Sequence, residues 1–413
     1  MNCRTSSVFS AAALAAALTM SLPVPAIAEE TTNTDLATAI ASGDANLDLR
    51  YRYEFVDQDG FSKNANASTL RLRLNYKTGS WMDWSGFIEF DHVMEVLIKD
   101  FNSGAGTSGP GRDQYPVVAD PEGSDLNQLY LQYAPNEDWQ TRIGRQRIIL
   151  DDQRFVGGVG WRQNEQTYDA LSVEYKGFDE TKVFYSYVAS TKRIFGSAVA
   201  AGDQDQNTHL LNANVALTQD WNIVGYAYLI DNDDFPAFST NTVGLRLDGG
   251  FALGEGRLAV IADVARQSDA ANAPVSFDAD YFRLEGNWSI DALAVGVGFE
   301  SLGSDNGQGF RTPFATLHAF NGWADKFLLT PGAGLEDFYL KATYKLKPWS
   351  LQLVYHDFSS ESGSDNYGRE LDLSAGRGIG ARYKILLKLA VFDADSASFA
   401  DTTKAWLMLT AGF

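Results

Sequence analysis

The sequence predicts an all-β protein, a transmembrane antiparallel β-barrel of about 18 strands with an N-terminal signal peptide. Three observations carry the prediction. Apolar and polar residues alternate in runs from Ala45 to Phe413 with no switch to helical spacing, short connections take turns with long polar ones, and tryptophans gather at the short ones.

The chain opens with Arg4, an apolar run from Val8 to Met20, and Ala26-Ile27-Ala28 in the small-x-small arrangement of a signal-peptidase site. Residues 1–28 are therefore expected to be a signal peptide. The sole cysteine, Cys3, lies inside it, which excludes a disulfide framework or a thiol nucleophile in the mature chain. Residues 29–44 read as a short periplasmic arm or helix, with Leu36 and Ile40 one turn apart and Gly43 as a stop. Residues 45–413 read as one barrel domain. No later run reaches the roughly 18 apolar residues of a membrane helix, although 45% of the chain is hydrophobic and 13% aromatic. Any span must then be a closed barrel, because strands in lipid leave no edge unpaired.

The stretch LDLRYRYEF (47–55) sets Leu47, Leu49, Tyr51, Tyr53 and Phe55 against Asp48, Arg50, Arg52 and Glu54. Successive side chains of a strand leave opposite faces, so one face is apolar and the other charged. A soluble sheet and a barrel with a wet interior both fit this stretch alone. Further runs follow at 69–77, 86–98, 127–135, 138–149, 169–177, 182–190, 207–217, 221–230, 241–250 and 256–267, then at 281–289, 292–300, 337–345, 350–358, 369–376, 385–393 and 404–413. Many have the roughly 9–11 residues that a tilted strand needs to cross the hydrocarbon layer.

The connections favour the barrel. Those at 79–83, 135–138, 176–180, 218–220, 289–291 and 347–349 are short, while 99–124, 148–166, 192–206 and 303–334 are long and rich in Asp, Gly, Ser and Asn. Trp81, Trp84, Trp139, Trp221, Trp288 and Trp349 stand at or beside the short turns, where an amphipathic ring meets the membrane interface. Leu407, Leu409 and the final Phe413 share one face, a pattern expected to engage the barrel-assembly machinery. These features point to the Gram-negative outer membrane, with its lipids and lipopolysaccharide as surroundings.

With apolar residues facing lipid, the inward bases include Arg50, Arg52, Arg71, Arg73, Arg142, Arg246, Arg283, Lys341, Lys388 and Lys404, among acids such as Asp48, Glu54, Glu89, Asp91, Asp263, Glu285 and Glu300. The formal charge of -20 resides mainly in loops and turns and argues against a nucleic-acid partner. Arg50, Arg52, Arg71 and Arg73 fall on one hairpin. They form either a positive wall for carboxylate-bearing anions or a ladder neutralised by Asp48 and Glu54. The segment 142–169, RIGRQRIILDDQRFVGGVGWRQNEQTYD, reverses the sign of the rest: Arg142, Arg145, Arg147, Arg154 and Arg162 face only Asp151, Asp152, Glu165 and Asp169. As the third long connection it is expected either to fold inward as a basic constriction or to lie outside against lipopolysaccharide phosphates.

LDLRYRYEFVDQDG (47–60), GRQRIILDDQRFVGGVGWRQNEQTYDA (144–170), GLEDFYL (334–340), YHDF (355–358), YGRELDL (367–373) and DTTKAWLML (401–409) resemble the alginate export family of outer-membrane proteins. The resemblance implies an 18-stranded barrel with an electropositive constriction that passes polyanionic sugars passively. Its basic positions would be Arg50, Arg52, Arg71, Arg73, Arg145, Arg147, Arg154 and Arg162, oriented by Asp151 and Asp152. The long last periplasmic turn that gates the family's exporter is replaced here by a short stretch around Gly376–Arg382. Family members of this size resemble general or nutrient porins for small organic anions.

A barrel-embedded hydrolase finds little support: His92, His209, His318 and His356 sit in neither a Gly-x-Ser-x-Gly nor a His-Glu-x-x-His setting. The acidic runs at 57–60 and 231–234 lack the spacing of a calcium loop, so no metal or cofactor is expected. An adhesin is the remaining alternative, although a barrel of this size encloses water unless loops plug it. The expectation is a passive, anion-preferring channel for acidic saccharides or small organic anions, in which Arg71 and Arg73 set the preference.

Overall fold

The computed structural model describes residues 35–104 and 112–413, so the expected signal peptide and the start of the arm lie outside the described residues. Eighteen strands form one closed antiparallel sheet. The first half comprises β1 (Asp44–Gln58), β2 (Ala65–Lys77), β3 (Trp84–Asp100), β4 (Gly123–Asn136), β5 (Trp139–Gln146), β6 (Thr167–Phe178), β7 (Thr181–Lys192), β8 (Asp203–Thr218) and β9 (Trp221–Ile230). The second half comprises β10 (Thr240–Leu253), β11 (Gly256–Asp269), β12 (Asp278–Ile290), β13 (Leu293–Leu302), β14 (Leu335–Leu346), β15 (Trp349–Ser359), β16 (Asn366–Ile379), β17 (Tyr383–Ala394) and β18 (Thr402–Gly412). Each strand pairs with its chain neighbours, and β1 pairs with β18 from Asp48 opposite Gly412 to Gln58 opposite Thr402. Closure leaves no backbone edge for lipid to meet.

The pleat sorts the side chains as the alternation requires. On β10, Leu245 is 53% exposed on the outer surface while the adjoining Arg246 is 6% exposed. Leu129, Leu131, Leu284, Leu340, Leu371 and Leu409 continue this outer apolar belt. Inside, opposite charges face one another across successive strands: Arg246 opposite Asp263, Asp263 opposite Arg283, and Arg283 opposite Glu300. At one rim the tryptophans of the short turns stack on neighbouring rings, Trp84 on Tyr133 at 4.9 Å and Trp139 on Tyr175 at 5.6 Å.

The arm forms α1 (Leu36–Ala41), capped by Asp35, whose carboxylate accepts from the Thr38 amide at 2.9 Å. It docks under the first short turn, where the Gly79 amide donates to the Ala39 carbonyl at 2.8 Å. The last short turn, 380–382, is as brief as the sequence implies.

One run is corrected. The apolar residues Ile148 and Ile149 close the sequence run of 138–149, yet β5 ends at Gln146. The chain there leaves the wall and enters the lumen, burying Ile148 and Leu150 among aromatic rings. This connection, L3 (147–166), and the long L7 (303–334) cross the barrel and meet inside it. Phe155 of L3 reaches the far wall, 5.1 Å from Tyr226 and 5.2 Å from Tyr281, and lies 6.1 Å from Phe310 of L7. Gly157 permits the meeting, because a Cβ there would stand 2.5 Å from the Thr316 hydroxyl.

Replacing Leu245 by Arg is expected to cost about 2–4 kcal/mol, the penalty for a cation on the lipid face near mid-membrane, measured by reversible urea unfolding from lipid vesicles.

Candidate functional site

The inserted loops determine what the inward charges do. Arg50 donates from Nε to Gln163 Oε1 at 2.9 Å and from Nη1 to the Gly160 carbonyl at 2.8 Å, and its other Nη reaches the Arg162 carbonyl. Arg52 pairs with Glu54 at 2.8 Å, donates to the Trp161 carbonyl, and lies 4.2 Å over the Trp161 ring. Arg71 pairs with Asp48. Arg73 forks onto Asp91 at 2.7 and 2.6 Å and reaches Glu165 of L3 at 2.5 Å. Wall and loop are thus joined by guanidinium forks whose geometry matches both carboxylates and backbone carbonyls.

The remaining predicted bases are engaged in the same manner. Arg147 binds Glu165 at 2.6 Å and Glu89 at 3.2 Å, and Arg145 forks onto Asp169. Arg154 crosses from L3 to Glu300 at 2.6 Å and to Asn321 of L7 at 3.1 Å. Arg162 bridges Glu54 at 3.0 Å and Asp325 of L7 at 3.2 Å. Asp152 receives Arg246 at 2.7 Å and Arg283 at 2.6 Å, whereas Asp151 accepts from Asn212 at 2.8 Å. The two aspartates therefore anchor L3 to the opposite wall; of the arginine set that the resemblance assigned to them, Asp152 meets only the Arg154 amide, at 3.3 Å. Lys341 rests on Glu285 at 2.9 Å. Arg142 bonds Gln132 at 2.9 Å and covers Tyr130.

The bridges around Glu54, Glu165, Glu300 and Asp325 are buried, and the charges hold one another. Burial favours a neutral Glu165, but Arg73 and Arg147 outweigh it and keep the carboxyl at about 2. Burial likewise opposes charge on Asp325, which Lys404, His318 and Arg162 hold well below the ordinary range. Removing one partner from such a pair strands the other in a dry site.

Bases that are free of carboxylate partners lie elsewhere. A cavity of about 810 Å³ opens among L3, L4 (193–202), L7 and L9 (395–401). Its lining includes Arg193 and Lys326, neither within ion-pair distance of a carboxylate among the described residues. Arg193 donates to the Pro313 carbonyl at 2.6 Å and Lys326 to the Thr402 hydroxyl at 3.0 Å. Burial, then the nearby Lys404, lowers Lys326 to about 8. Phe61, Trp161, Phe195 and Phe399 supply an aromatic wall, and Lys404, paired with Asp325 at 2.8 Å, stands at the edge. Sequence reasoning missed Arg193 and Lys326 because both sit in long connections without periodicity.

A closed strand cylinder with an apolar outside, a charged inside and loops folded into its bore defines the fold class of an outer-membrane porin-like barrel. Solved structures share the fold. OccK9 (OpdG) of Pseudomonas aeruginosa is 13% identical, with a TM-score of 0.73, covering 91% of this chain and 99% of its own. OpdO of the same organism is 14% identical at a TM-score of 0.71, over 91% and 98%. OccAB4 of Acinetobacter baumannii is 12% identical at 0.72, over 90% and 98%. Residues 43–218 match the alginate export family, so the resemblance carried by 47–60 and 144–170 holds from β1 through β8. No curated protein matches the chain significantly. The protein thus has the fold of the outer-membrane porins, a closed barrel of the Gram-negative outer membrane with its apolar belt set in lipid.

Glu165→Gln is expected to loosen L3 by about 3–5 kcal/mol, the usual cost of breaking a buried pair, read as faster proteolysis within 147–166. Because Glu165 titrates at about 2 when folded, below an unfolded value of about 4.3, its contribution is complete above that unfolded value and fades as acid approaches the folded one. Protease resistance of the native loop should then be level from neutral pH to about 5 and fall below about 3.

Proposed function

We propose that the channel is passive and prefers anions, and that it takes small organic anions and short acidic saccharides, uronate oligomers of the alginate type among them. The observation that carries this reading is the 810 Å³ cavity with Arg193 and Lys326 in its wall and no carboxylate paired to either among the described residues. Uncompensated positive charge beside low-dielectric walls raises the local concentration of anions and repels cations. The cavity's volume, and the crossing of the bore by L3 and L7, favour a small anion or a short oligomer over a long polymer in continuous transit. The short turn at 380–382 also differs from the long periplasmic gate that the resemblance associates with polymer export.

In this reading Arg50, Arg52, Arg71, Arg73, Arg154 and Arg162 shape the path by seating the loops. Ion contact falls to the lysines and to Arg193. Flux follows the concentration gradient in either direction. The terminal Phe413, whose backbone pairs with Leu47 at 2.9 and 3.0 Å and whose ring lies half-exposed beside Tyr383, would present the signal read by the barrel-assembly machinery.

A potassium chloride gradient across a planar bilayer tests the reading: the reversal potential should have the sign of an anion current, and di- or triuronates should block it. A cation-signed or silent trace would end it. Lys326 is charged below its value of about 8 and neutral above it. The preference should therefore decline as pH rises from 7 to about 9, and Lys326→Gln should flatten that decline.

A further inference from the structure

The inserted loops and the wall also meet at a cation that no carboxylate pairs among the described residues. Lys388, inward on β17, has its Nζ 3.6 Å from the ring centroid of Trp323 of L7, 4.3 Å from Trp161 of L3 and 5.5 Å from Trp406 of β18. It donates to Nε2 of His318 at 2.7 Å. His318 is stacked on Trp161 at 4.1 Å with planes 4° apart, and its Nδ1 meets Asp325 at 2.7 Å. Burial, and then Lys388 itself, keep His318 down at about 3. The ring is therefore neutral, donating from Nδ1 to Asp325 and accepting at Nε2 from the ammonium.

The acids whose fields reach Lys388 make their hydrogen bonds to other groups, and Glu370 Oε2 and Asp372 Oδ1 accept none, yet no carboxylate among the described residues lies within ion-pair distance of its Nζ. Asp372 accepts from the Trp323 amide at 3.2 Å, Glu370 from the Ala324 amide at 2.7 Å, and Asp325 from Lys404 and Arg162. Lys388 thus differs from the inward arginines. Theirs are forked bonds to fixed carboxylates and carbonyls, while its charge faces indole rings and one neutral nitrogen. Such faces hold an ammonium by quadrupole attraction but offer no counter-charge. A passing carboxylate or sulfate does offer one, through a charge-assisted hydrogen bond. A four-carbon stem lets Nζ leave the cage while β17 stays still.

Position adds to chemistry. Trp161 and His318, two walls of the cage, also line the 810 Å³ cavity, so the ammonium stands directly behind its floor. On the sheet Lys388 lies opposite Ser374 and Trp406. An anion leaving the cavity between L3, L7 and the β17–β18 wall meets in Lys388, after Arg193 and Lys326, a further cation without a carboxylate partner among the described residues.

We propose that Lys388 is the charge-selecting residue of the channel: its ammonium leaves the tryptophan cage to accompany an anion from the cavity into the lower lumen, and returns to the cage when the anion has passed. This rests on the anion-preferring reading above and adds to Arg193 and Lys326 of the cavity the residue that carries the preference on into the lumen.

Wild-type protein and three variants, Lys388→Met, Lys388→Arg and Trp323→Leu, are compared in planar bilayers under a potassium chloride gradient, each first checked for heat-modifiable migration of the folded barrel. Lys388→Met is expected to lower the anion-to-cation permeability ratio by about threefold or more. Lys388→Arg should retain the ratio, and Trp323→Leu should also retain it while raising conductance, since the charge remains and the cage is opened. A wild-type ratio in folded Lys388→Met would overturn the proposal and leave the anion-preferring reading intact. Equal loss of preference in Trp323→Leu would also overturn it, marking the cage as a structural support. A wild type without anion preference would defeat the underlying reading before the variants are compared.

Discussion

Guanidinium bridges between the barrel wall and the third long connection determine the character of the bore. A cylinder of eighteen strands is wide enough to hold water, and nothing in its backbone requires a loop to lie inside. L3 lies there because Arg50 offers three fixed donors to Gly160, Arg162 and Gln163, and Arg52 and Arg73 one each to Trp161 and Glu165. At its other end, Asp152 joins Arg246 and Arg283 on the opposite wall. L7 is then tied to L3 through Arg154 with Asn321 and Arg162 with Asp325. Individual exposed ion pairs contribute little, but these are shielded from water and share partners, so breaking any one leaves a charge with nowhere to go.

This arrangement divides the work of the two kinds of cation. Arginine, planar and always charged, serves as a bracket between surfaces that must not move. Lysine carries a point charge on a flexible stem. Lys326 and Lys388 are found beside hydroxyls, rings and a neutral imidazole without ion pairs among the described residues. Abundant arginine in the bore therefore signals a built constriction more than a row of binding sites.

Much of the barrel could be read from the residues because a strand has a two-residue period and lipid tolerates only one kind of face. LDLRYRYEF oriented β1, and its arginines do face inward. The alternation of short and long connections corresponds to the observed turns and loops. The limits appear where the chain stops obeying a period. Ile148 looked like strand because buried loop residues are as apolar as lipid-facing ones. Arg154 meets Glu300 across 146 residues, and no local pattern announces such a pair. The ladder of Arg71 with Asp48 and Arg52 with Glu54 was legible as one of two options, since the two-residue period puts these charges on one face; the register sets Asp48 diagonal to Arg71. L7 left no trace beyond its length, so neither the cavity nor the cage around Lys388 was visible before the loops were placed.

The most direct measurement is the single-channel conductance of Arg73→Gln, together with its reversal potential, against wild type. If Arg73 is a bracket for L3 through Glu165, the variant should conduct more current with the sign of its selectivity unchanged. Unaltered conductance with reversed or abolished selectivity would contradict the account and make Arg73 a filter that ions touch directly.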